Sequence, residues 1–482
     1  MDNHQKFYEI LCPEDVKKVH LTALRIVEEI GLCLPFQEAL DLYDAAGAQV
    51  NFDKQTVRIP ASLIESSFKK FPSRFTFHAR NPKYSHDMNG LDTYFSGPNC
   101  ALTVIDAKGN RREANAQDGI DFSRLTDALP SYDIMTAGVY PPNMAPGFLE
   151  AWTFITSLIH GNKPVLGIST NGQCARDHIT IAEIVADACG MPRDQLPIMV
   201  VCNTKSPLAN SAEELEALSE YAHRGVPLMI SPEVMAGATG PATIAGSLAQ
   251  AVAEFMAHAT YAQLINPGVP VMFGCVCSAL DMRTTILPYG APEADLLSMA
   301  TAQIARYYGI PSRGTGGASD ANSLGMQAGV ESLMSNLLCL LGGITYVNHA
   351  GGELENTLGS SYEKTVVDNE IIAMSRRVAA GIAVSSDTLA FEEIKKVGPK
   401  GNFLSLDHTF KHFRTEHFIP TVLDRDKYDI WENAGGRTAE EKSRDLISDI
   451  LYNHEQEEPL PEAAVKDLED FLDSKKTASG MY

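Results

Sequence analysis

Apolar runs of four to seven residues recur through the middle of the chain, and each ends at a polar residue, a glycine or a proline before a helical segment. Such runs predict buried strands, and their alternation with helices predicts parallel βαβ units. Eight runs are found, at residues 93–97, 134–139, 165–170, 198–203, 228–231, 269–275, 310–314 and 344–349. Eight such units close a TIM (β/α)8 barrel, so the predicted fold is α/β of this type. A doubly wound open sheet is the alternative, but no Gly-x-Gly-x-x-Gly motif follows a first strand.

Helical patterns flank the alternating section on both sides. Residues 1–75 form a predicted N-terminal helical cap, whose first helix opens at Pro13 with Glu14 and Asp15 in its first turn. Residues 76–390 form the predicted barrel, with a small hairpin insertion near 103–113. Residues 391–482 form a predicted C-terminal helical extension with an acidic helix at 462–473, and residues 475–482 are expected to fray.

Composition and charge limit the partners and the cellular location that we expect for this protein. The 482 residues carry 61 acidic and 39 basic side chains, a formal net charge of −22, which disfavours a nucleic-acid partner because phosphate binding needs clustered Lys and Arg. The 9 cysteines have no disulfide-like spacing, and the first residues lack the apolar segment of a signal peptide. No apolar stretch is long enough to predict a membrane span. We therefore expect a cytoplasmic protein with reduced thiols.

The candidate chemistry lies at the predicted strand ends, which face the active site in a TIM barrel. Arg313 ends an otherwise apolar strand, where a guanidinium could bind a carboxylate or phosphate or could form a structural ion pair at the rim. His349 ends the last strand and could bind the same anion, transfer a proton or bind a metal, or serve only in packing. Asn203 and Glu233 also lie at strand ends, and no pair of carboxylates indicates glycosidase-type chemistry.

Three further patterns allow alternative interpretations. Cys275 and Cys277 lie on one side of a strand and, with Cys202 and His349, could form a zinc site, although buried cysteines are usually small apolar residues. The glycine-rich turn at 237–243 could bind an anion, but a tight turn with a threonine helix cap is the preferred interpretation. Four aromatic residues lie near strand ends or in the following loops and could enclose a quaternary ammonium group or simply pack: Tyr94, Phe95, Tyr140 and Tyr362.

Several segments together resemble the trimethylamine methyltransferase (MttB) superfamily. The resemblance covers nearly the whole chain and rests on residues 231–250, 266–271, 281–283, 308–311 and 327–331, and on His408, Thr409 and Arg414. It implies a TIM barrel, in agreement with the strand count. Trimethylamine-specific members contain pyrrolysine, which this sequence lacks, so the chain resembles the branch without pyrrolysine.

The resemblance implies methyl transfer from a quaternary amine to the Co(I) cobalamin of a partner corrinoid protein. The expected substrates are glycine betaine, proline betaine, carnitine or γ-butyrobetaine. We expect Arg313 and His349 to bind the substrate carboxylate, the aromatic residues to enclose the ammonium, and Glu233 or Glu353 to add negative charge opposite it. The resemblance to the family is the sole basis for expecting a homo-oligomer. Two other functions stay open from the sequence, namely a zinc-dependent methyltransferase with a thiol acceptor and a non-catalytic betaine-binding barrel.

Overall fold

The computed structural model describes residues 7–479, and its first section combines helices with short antiparallel strands. A π-helical turn continues α1 to Ile30, where Gly31 ends it, and the buried side of α1 joins the main apolar core. The elements of this section are α1 (Pro13–Arg25), β1 (Leu32–Cys33), α2 (Gln37–Ala45), β2 (Gln49–Asn51), β3 (Thr56–Arg58), α3 (Ala61–Phe68), β4 (Phe75–Phe77) and β5 (His86–Met88).

Strands and helices alternate through the middle of the chain. The strands are β6 (Tyr94–Phe95), β7 (Thr103–Ile105), β8 (Arg111–Glu113), β9 (Val165–Ile168), β10 (Ile198–Asn203), β11 (Leu228–Ser231), β12 (Met235–Ala236), β13 (Val271–Phe273), β14 (Ser278–Ala279), β15 (Arg313–Thr315), β16 (Tyr346–Asn348), β17 (Glu353–Leu354) and β18 (Gly359–Ser360). The helices are α4 (Ala116–Ala128), α5 (Phe148–His160), α6 (Gly172–Ala188), α7 (Ala212–Arg224), α8 (Ile244–Ile265), α9 (Pro292–Tyr308), α10 (Met326–Gly342) and α11 (Tyr362–Ala379). The fold is therefore mixed α/β, as predicted.

Two parallel sheets form the centre of this section. One has the strand order β13-β11-β10-β9 and the other the order β15-β16-β6, and every neighbouring pair in both sheets is parallel. Single parallel bridges connect their edges to each other and to residues 134–135: Ser96 with Ile134, Met135 with Val165, and Phe273 with Ser312. The carboxyl ends of the parallel strands consequently lie on the same side of the molecule.

The predicted strand at 134–139 is the clearest departure from expectation. Only the bridge residues Ile134, Met135 and Val139 pair with neighbours, so no continuous strand forms there. Gly138 has a φ of 74°, in the left-handed region that strand residues do not adopt, and it turns the backbone out of the ladder. The predicted strands at 198–203 and 228–231 are confirmed at the same bounds by β10 and β11.

The predicted hairpin insertion is confirmed. Strands β7 and β8 pair antiparallel, and the side chain of Asp106 accepts hydrogen bonds from the backbone N–H groups of Lys108 and Asn110 in the turn between them. Beyond the prediction, β17 and β18 extend this hairpin to a four-stranded sheet. The long loop that follows β16 is thereby attached to the hairpin, which fixes the position of the residues just after His349.

The glycine-rich turn at 237–243 leads from β12 into α8, but the expected threonine cap does not form. Thr243 stands at the N-cap of α8 without a side-chain capping hydrogen bond. Gly237 has a φ of 95°, and the amide of Gln250 donates to the backbone oxygen of Thr239. Internal hydrogen bonds therefore hold this turn, which supports the interpretation as a tight connection.

The C-terminal section consists of helices that pack back on the rest of the chain. Its elements are α12 (Phe391–Val397), α13 (Asp407–Glu416), α14 (Tyr428–Asn433), α15 (Ala439–Asn453) and α16 (Glu462–Ser479). Leu468 of α16 is buried in the main core. The expectation of fraying at 475–482 is wrong for 475–479, which continue α16, and residues 480–482 lie outside the described part of the chain. No helix among residues 7–479 is both long and apolar enough to cross a membrane.

Candidate functional site

The inner faces of the parallel strands change from apolar to polar towards their carboxyl ends. A buried apolar cluster occupies the middle of these faces and includes Ile134, Leu166, Met199, Val201, Met229, Met272 and Tyr346. Because side chains alternate along a strand, the residue two positions further points the same way. On three of these strands that next residue is polar, namely Asn203, Ser231 and Asn348, and Thr136 follows the bridged residues 134–135 in the same way. The strand ends therefore present a layer of hydrogen-bonding groups above an apolar layer.

Arg313 lies at this polar edge as a buried cation without a carboxylate partner. Its side chain is 2% exposed, and Nη1 donates to the backbone oxygen of Cys275 at 2.7 Å. The Nε atom is buried and has no hydrogen-bond partner, and Arg313 forms no ion pair with any described residue. Burying a charge in this way is costly unless an anion pairs with it. The guanidinium therefore has donors available for a bound anion.

Glu233 provides the opposite charge at the same edge. It follows β11, is half-buried, and makes no hydrogen bond or ion pair within residues 7–479. Burial raises the pKa of Glu233, while the charges of Arg313 and His349 oppose that rise. The Glu233 carboxylate thus lies near Arg313 and His349 without bonding to either.

His349 is held in a strained backbone conformation. Its φ is 57°, which is uncommon for a residue other than glycine, and such strain concentrates at functional sites. Nδ1 lies 2.9 Å from Oε2 of Glu353, a fully buried residue whose carboxylate also accepts the backbone N–H of Asn99 at 2.6 Å. Because an ionised carboxylate only accepts, Nδ1 carries the proton and the pair fixes the orientation of the ring. Glu353 is therefore occupied in supporting His349.

Tyr289 adjoins this group. Tyr289, whose ring centroid is 6.4 Å from that of His349, has a pKa raised mainly by burial and further by the charge of Glu233. Tyr140, whose pKa burial raises, lines a small separate cavity together with Asn99 and Thr136. Sequence reasoning missed Tyr289 because it lies in the loop after β14, where its backbone N–H donates to Asp320. The sequence did contain a signal for Tyr289. The residue lies in the loop that follows the predicted strand at 269–275, and loops at the carboxyl ends of the strands line the functional edge.

Asn203 belongs to the same polar edge, as predicted from its strand-end position. It lies directly beside Ser231 in the parallel register of β10 and β11. The side-chain oxygens of both residues are buried without a hydrogen-bond partner in the described chain. Two neighbouring buried oxygens of this kind are most often satisfied by water or by a ligand.

The structure does not bring Tyr94 and Phe95 to this group. Tyr94 packs beside the apolar cluster and stacks on His86 of β5 at 4.3 Å between ring centroids. Phe95 belongs to a different apolar cluster, on the helix side of the sheet, with the guanidinium of Arg376 5.0 Å from its ring centroid. Consecutive strand residues point to opposite faces, so these two could not share a pocket.

Tyr362 is also placed elsewhere. Its hydroxyl donates to Asp118 at 2.7 Å and its ring stacks on Phe122 with the centroids 4.3 Å apart. It lines a separate surface cavity of about 600 Å³ beside the hairpin. These contacts give Tyr362 a structural role at the start of α11, and we do not include it in the candidate site.

The cysteines proposed as zinc ligands do not converge. Cys275 and Cys277 are buried among the helices on the outer side of the sheet, and a hydrogen bond from Cys277 lowers the pKa of Cys275 below its usual range. Neither these two nor Cys202 and His349 belong to a group of three or more metal-ligating residues with converging atoms among residues 7–479. The thiol of Cys277 instead accepts the backbone N–H of Val234 and lies within hydrogen-bond distance of the backbone oxygen of Pro232.

Comparison with known proteins gives a consistent result. A family model described as trimethylamine methyltransferase (MTTB) matches residues 1–480. The glycine betaine methyltransferase of Desulfitobacterium hafniense (strain Y51) is 34% identical over 425 residues, which is 88% of this chain and 88% of that protein. The trimethylamine methyltransferase MttB of Desulfitobacterium hafniense (strain DSM 10664 / DCB-2) is 29% identical over 471 residues, 97% of this chain and 94% of that protein.

Among solved structures, the monomethylamine methyltransferase (MtmB) of Methanosarcina barkeri aligns with 93% of this chain and 96% of its own, at 12% identity and a TM-score of 0.47. The family assignment rests on sequence, because the family model covers nearly the whole length and a relative reaches 34% identity. The sequence contains no pyrrolysine. The chain is therefore a methyltransferase and belongs to the trimethylamine methyltransferase (MTTB) family, in its branch without pyrrolysine.

Proposed function

We propose that this chain transfers a methyl group from a betaine, meaning a quaternary amine that also carries a carboxylate, to the Co(I) corrinoid of a partner protein. One observation supports the proposal above the others. Arg313 is a buried cation with no carboxylate partner, and Glu233 is a half-buried carboxylate with no hydrogen-bond donor, within the described chain. A betaine has the complementary pair of charges, and its ammonium has no N–H to donate.

In this proposal the charged residues orient the substrate. Arg313 holds the betaine carboxylate with its free donors, and the Nε2 side of His349, whose Nδ1 is engaged by Glu353, contacts the same carboxylate. Glu233 lies opposite the ammonium, and the ring of Tyr289, with that of Tyr140 from the adjoining cavity, encloses its methyl groups. The buried oxygen of Asn203 completes the polar lining.

The reaction needs positioning rather than acid–base catalysis. A quaternary ammonium leaves as a neutral tertiary amine, so no proton has to be supplied to the leaving group. Bound Co(I) corrinoid supplies a strong nucleophile for the methyl group. The residues of this chain hold the substrate in line with that nucleophile and exclude water, which are the contributions that binding energy and a closed site can make.

The proposed architecture around the site is a closed ring of eight parallel strands within residues 76–390, with residues 1–75 and 391–482 as helical additions. The three single parallel bridges between the sheet edges and residues 134–135 support this closure, because they return the strand order to β6. In such a barrel the carboxyl ends of the strands form one mouth. The corrinoid protein is proposed to dock over that mouth, and a homo-oligomer follows by family analogy.

A spectral assay tests the proposal directly. The full-length protein is mixed with Co(I) cobalamin or a cognate corrinoid protein, and conversion to methyl-Co(III) is followed after addition of one amine at a time. Glycine betaine, proline betaine, carnitine and γ-butyrobetaine are the test substrates. Trimethylamine lacks the quaternary centre, and choline has the quaternary ammonium without the carboxylate, so these two serve as matched controls.

Conversion with one or more betaines, and little with choline or trimethylamine, is the expected result. Choline reacting as fast as the best betaine would contradict the role of Arg313. Tight betaine binding without methyl transfer to any corrinoid would instead favour a non-catalytic betaine-binding protein. Methyl transfer to a free thiol without corrinoid would favour the thiol-acceptor alternative.

A further inference from the structure

Three potential metal ligands converge in the C-terminal extension, away from the strand-end site. His408 and His412 lie one turn apart on α13, and Asp387 lies in the segment between α11 and α12. One ligand atom from each lies within 4.8 Å of the others, and the two imidazole centroids are 4.4 Å apart. Residues four apart on a helix share one face, so both rings are presented to the same carboxylate.

The contact between His412 and Asp387 has the geometry of two ligands rather than of a hydrogen bond. Nε2 of His412 lies 3.3 Å from Oδ2 of Asp387. The same Nε2 atom is buried and makes no hydrogen bond with any described residue, although this oxygen lies within reach. Two ligand atoms about 2.0–2.1 Å from one tetrahedral ion lie about 3.3 Å apart. The observed separation thus leaves room for a shared ion.

We propose that Asp387, His408 and His412 bind a Zn²⁺ ion, with the fourth position open to water. Two imidazole nitrogens and one carboxylate oxygen suit zinc, whereas Mg²⁺ and Ca²⁺ prefer oxygen ligands throughout. The ion links the segment before α12 to α13. It acts as a structural element of the C-terminal extension and takes no part in the methyl transfer proposed above.

Lys411 is the competitor for this site. Its Nζ lies 2.7 Å from Oδ2 of Asp387, and in the absence of metal the ammonium neutralises the carboxylate. The side chain of Lys411 is 64% exposed, so it can move into solvent when an ion binds. Nε2 of His408 lies 3.1 Å from the backbone oxygen of Asp387, a contact that keeps this ring beside the carboxylate. Zinc binding therefore replaces one cation by another at Asp387 and draws the two rings together.

Zinc binding to the full-length protein tests the proposal. Metal is first removed with a chelator, and Zn²⁺ is titrated by calorimetry while bound zinc is measured by elemental analysis. One ion per chain is expected. His412→Ala and Asp387→Asn should each weaken binding at least tenfold, while Lys411→Ala should strengthen it severalfold because the competing ammonium is gone. His417→Ala, which alters a histidine just beyond α13, is the matched control and should bind zinc as the parent does.

Two independent readouts separate this site from zinc held elsewhere. Co²⁺ in the site should give the visible absorption of a tetrahedral ion, lost in His412→Ala and retained in Cys277→Ser. Limited proteolysis between residues 387 and 408 should slow when zinc is bound. Stoichiometric binding that survives in both His412→Ala and Asp387→Asn, or no stoichiometric binding by the parent or by Lys411→Ala, would overturn the proposal.

Discussion

Lys364 and Arg313 are both almost fully buried cations, yet their surroundings differ completely. The ammonium of Lys364, which is 3% exposed, donates to the backbone oxygen of Gly317, to Ser332 and to Asp368 at 2.6–2.8 Å. Arg313 has one backbone acceptor, an unpaired Nε and no ion pair in the described chain. Removing a buried cation whose donors are all paired leaves its partners uncompensated, whereas a buried cation with free donors indicates a site for an anionic ligand.

A fully buried and a half-buried carboxylate show the same contrast. Glu254 of α8 is fully buried and accepts hydrogen bonds from the hydroxyls of Thr204 and Ser206 and from the backbone N–H of Leu208. Glu233 has no such donors among the described residues. It follows β11, the strand adjacent to β10, whose end is followed by Thr204. The unsatisfied cation and the unsatisfied carboxylate occur at the same edge of the sheet. Their coincidence is what separates the candidate site from the rest of the polar interior.

The largest effect is expected at the satisfied cation. Lys364→Ala removes one partner of a buried ion pair and leaves Asp368 uncompensated, which should lower the free energy of unfolding by about 3–5 kcal/mol. Urea denaturation followed by circular dichroism measures this loss. Lys18→Ala removes an exposed ion pair with Asp15 and serves as the control, for which no measurable change is expected. Equal stability of the two variants would contradict the structural role of Lys364.

The unsatisfied cation should behave in the opposite way. Arg313→Met should weaken glycine betaine binding by about 2–5 kcal/mol, which is roughly 30- to 4,000-fold in Kd. The free energy of unfolding of the ligand-free protein should fall by no more than about 1 kcal/mol, since only the bond to the Cys275 backbone is lost. Calorimetric titration and urea denaturation give the two quantities. A large loss of stability with unchanged affinity would show that Arg313, like Lys364, has a structural role and does not bind the substrate.

An apolar run in the sequence predicts the exact bounds of a strand in two cases, residues 198–203 and 228–231, which are β10 and β11. Residues 134–139 are also an apolar run, but no continuous strand forms there, because the left-handed backbone of Gly138 is set by tertiary packing. The side chain of Phe122 lies so close to Gly138 that a Cβ would meet it at 2.7 Å. Such a packing constraint cannot be derived from a hydrophobic pattern.

The candidate site was predictable only in part, for a related reason. Arg313, His349 and Glu233 are found by their place at strand ends, which the sequence reveals. Whether the charges of these residues are paired depends on long-range contacts, which the sequence does not reveal. The sequence analysis predicts both Tyr94 and Phe95 as site residues, although strand alternation allows only one of them to face inward. The loop position that brings Tyr289 beside His349 follows from the folded path of the chain.

The unsatisfied carboxylate should give betaine binding a distinctive pH dependence. Because burial raises the pKa of Glu233, its proton is lost at higher pH than in an ordinary glutamate. Affinity for glycine betaine should therefore rise with pH as Glu233 ionises. The stability of the ligand-free protein should fall over the same window, since a raised pKa contributes stability below the ordinary value that is lost above the raised one.

Glu233→Gln tests this dependence by removing the charge with little change of shape. The rise of affinity with pH should vanish, and the Kd at neutral pH should increase about tenfold, or about 1.4 kcal/mol. Calorimetric titrations of parent and variant across the acidic range provide the measurement. As a control, the parent and variant should show the same acid dependence of unfolding apart from the Glu233 contribution. An unchanged pH profile of binding would assign the ammonium site to another residue.

The smallest effect is expected from the aromatic lining, and it separates the site from the apolar layer beneath it. Tyr289→Leu removes a ring face near His349 and should weaken betaine binding by about 0.5–2 kcal/mol, whereas Tyr289→Phe keeps the face and should change Kd by less than about twofold. Tyr94→Leu is the matched change within the apolar layer. It should lower the free energy of unfolding and leave the Kd of the folded protein unchanged. If Tyr94→Leu weakened binding as much as Tyr289→Leu, the ammonium would have to lie deeper among the strands than the charged edge.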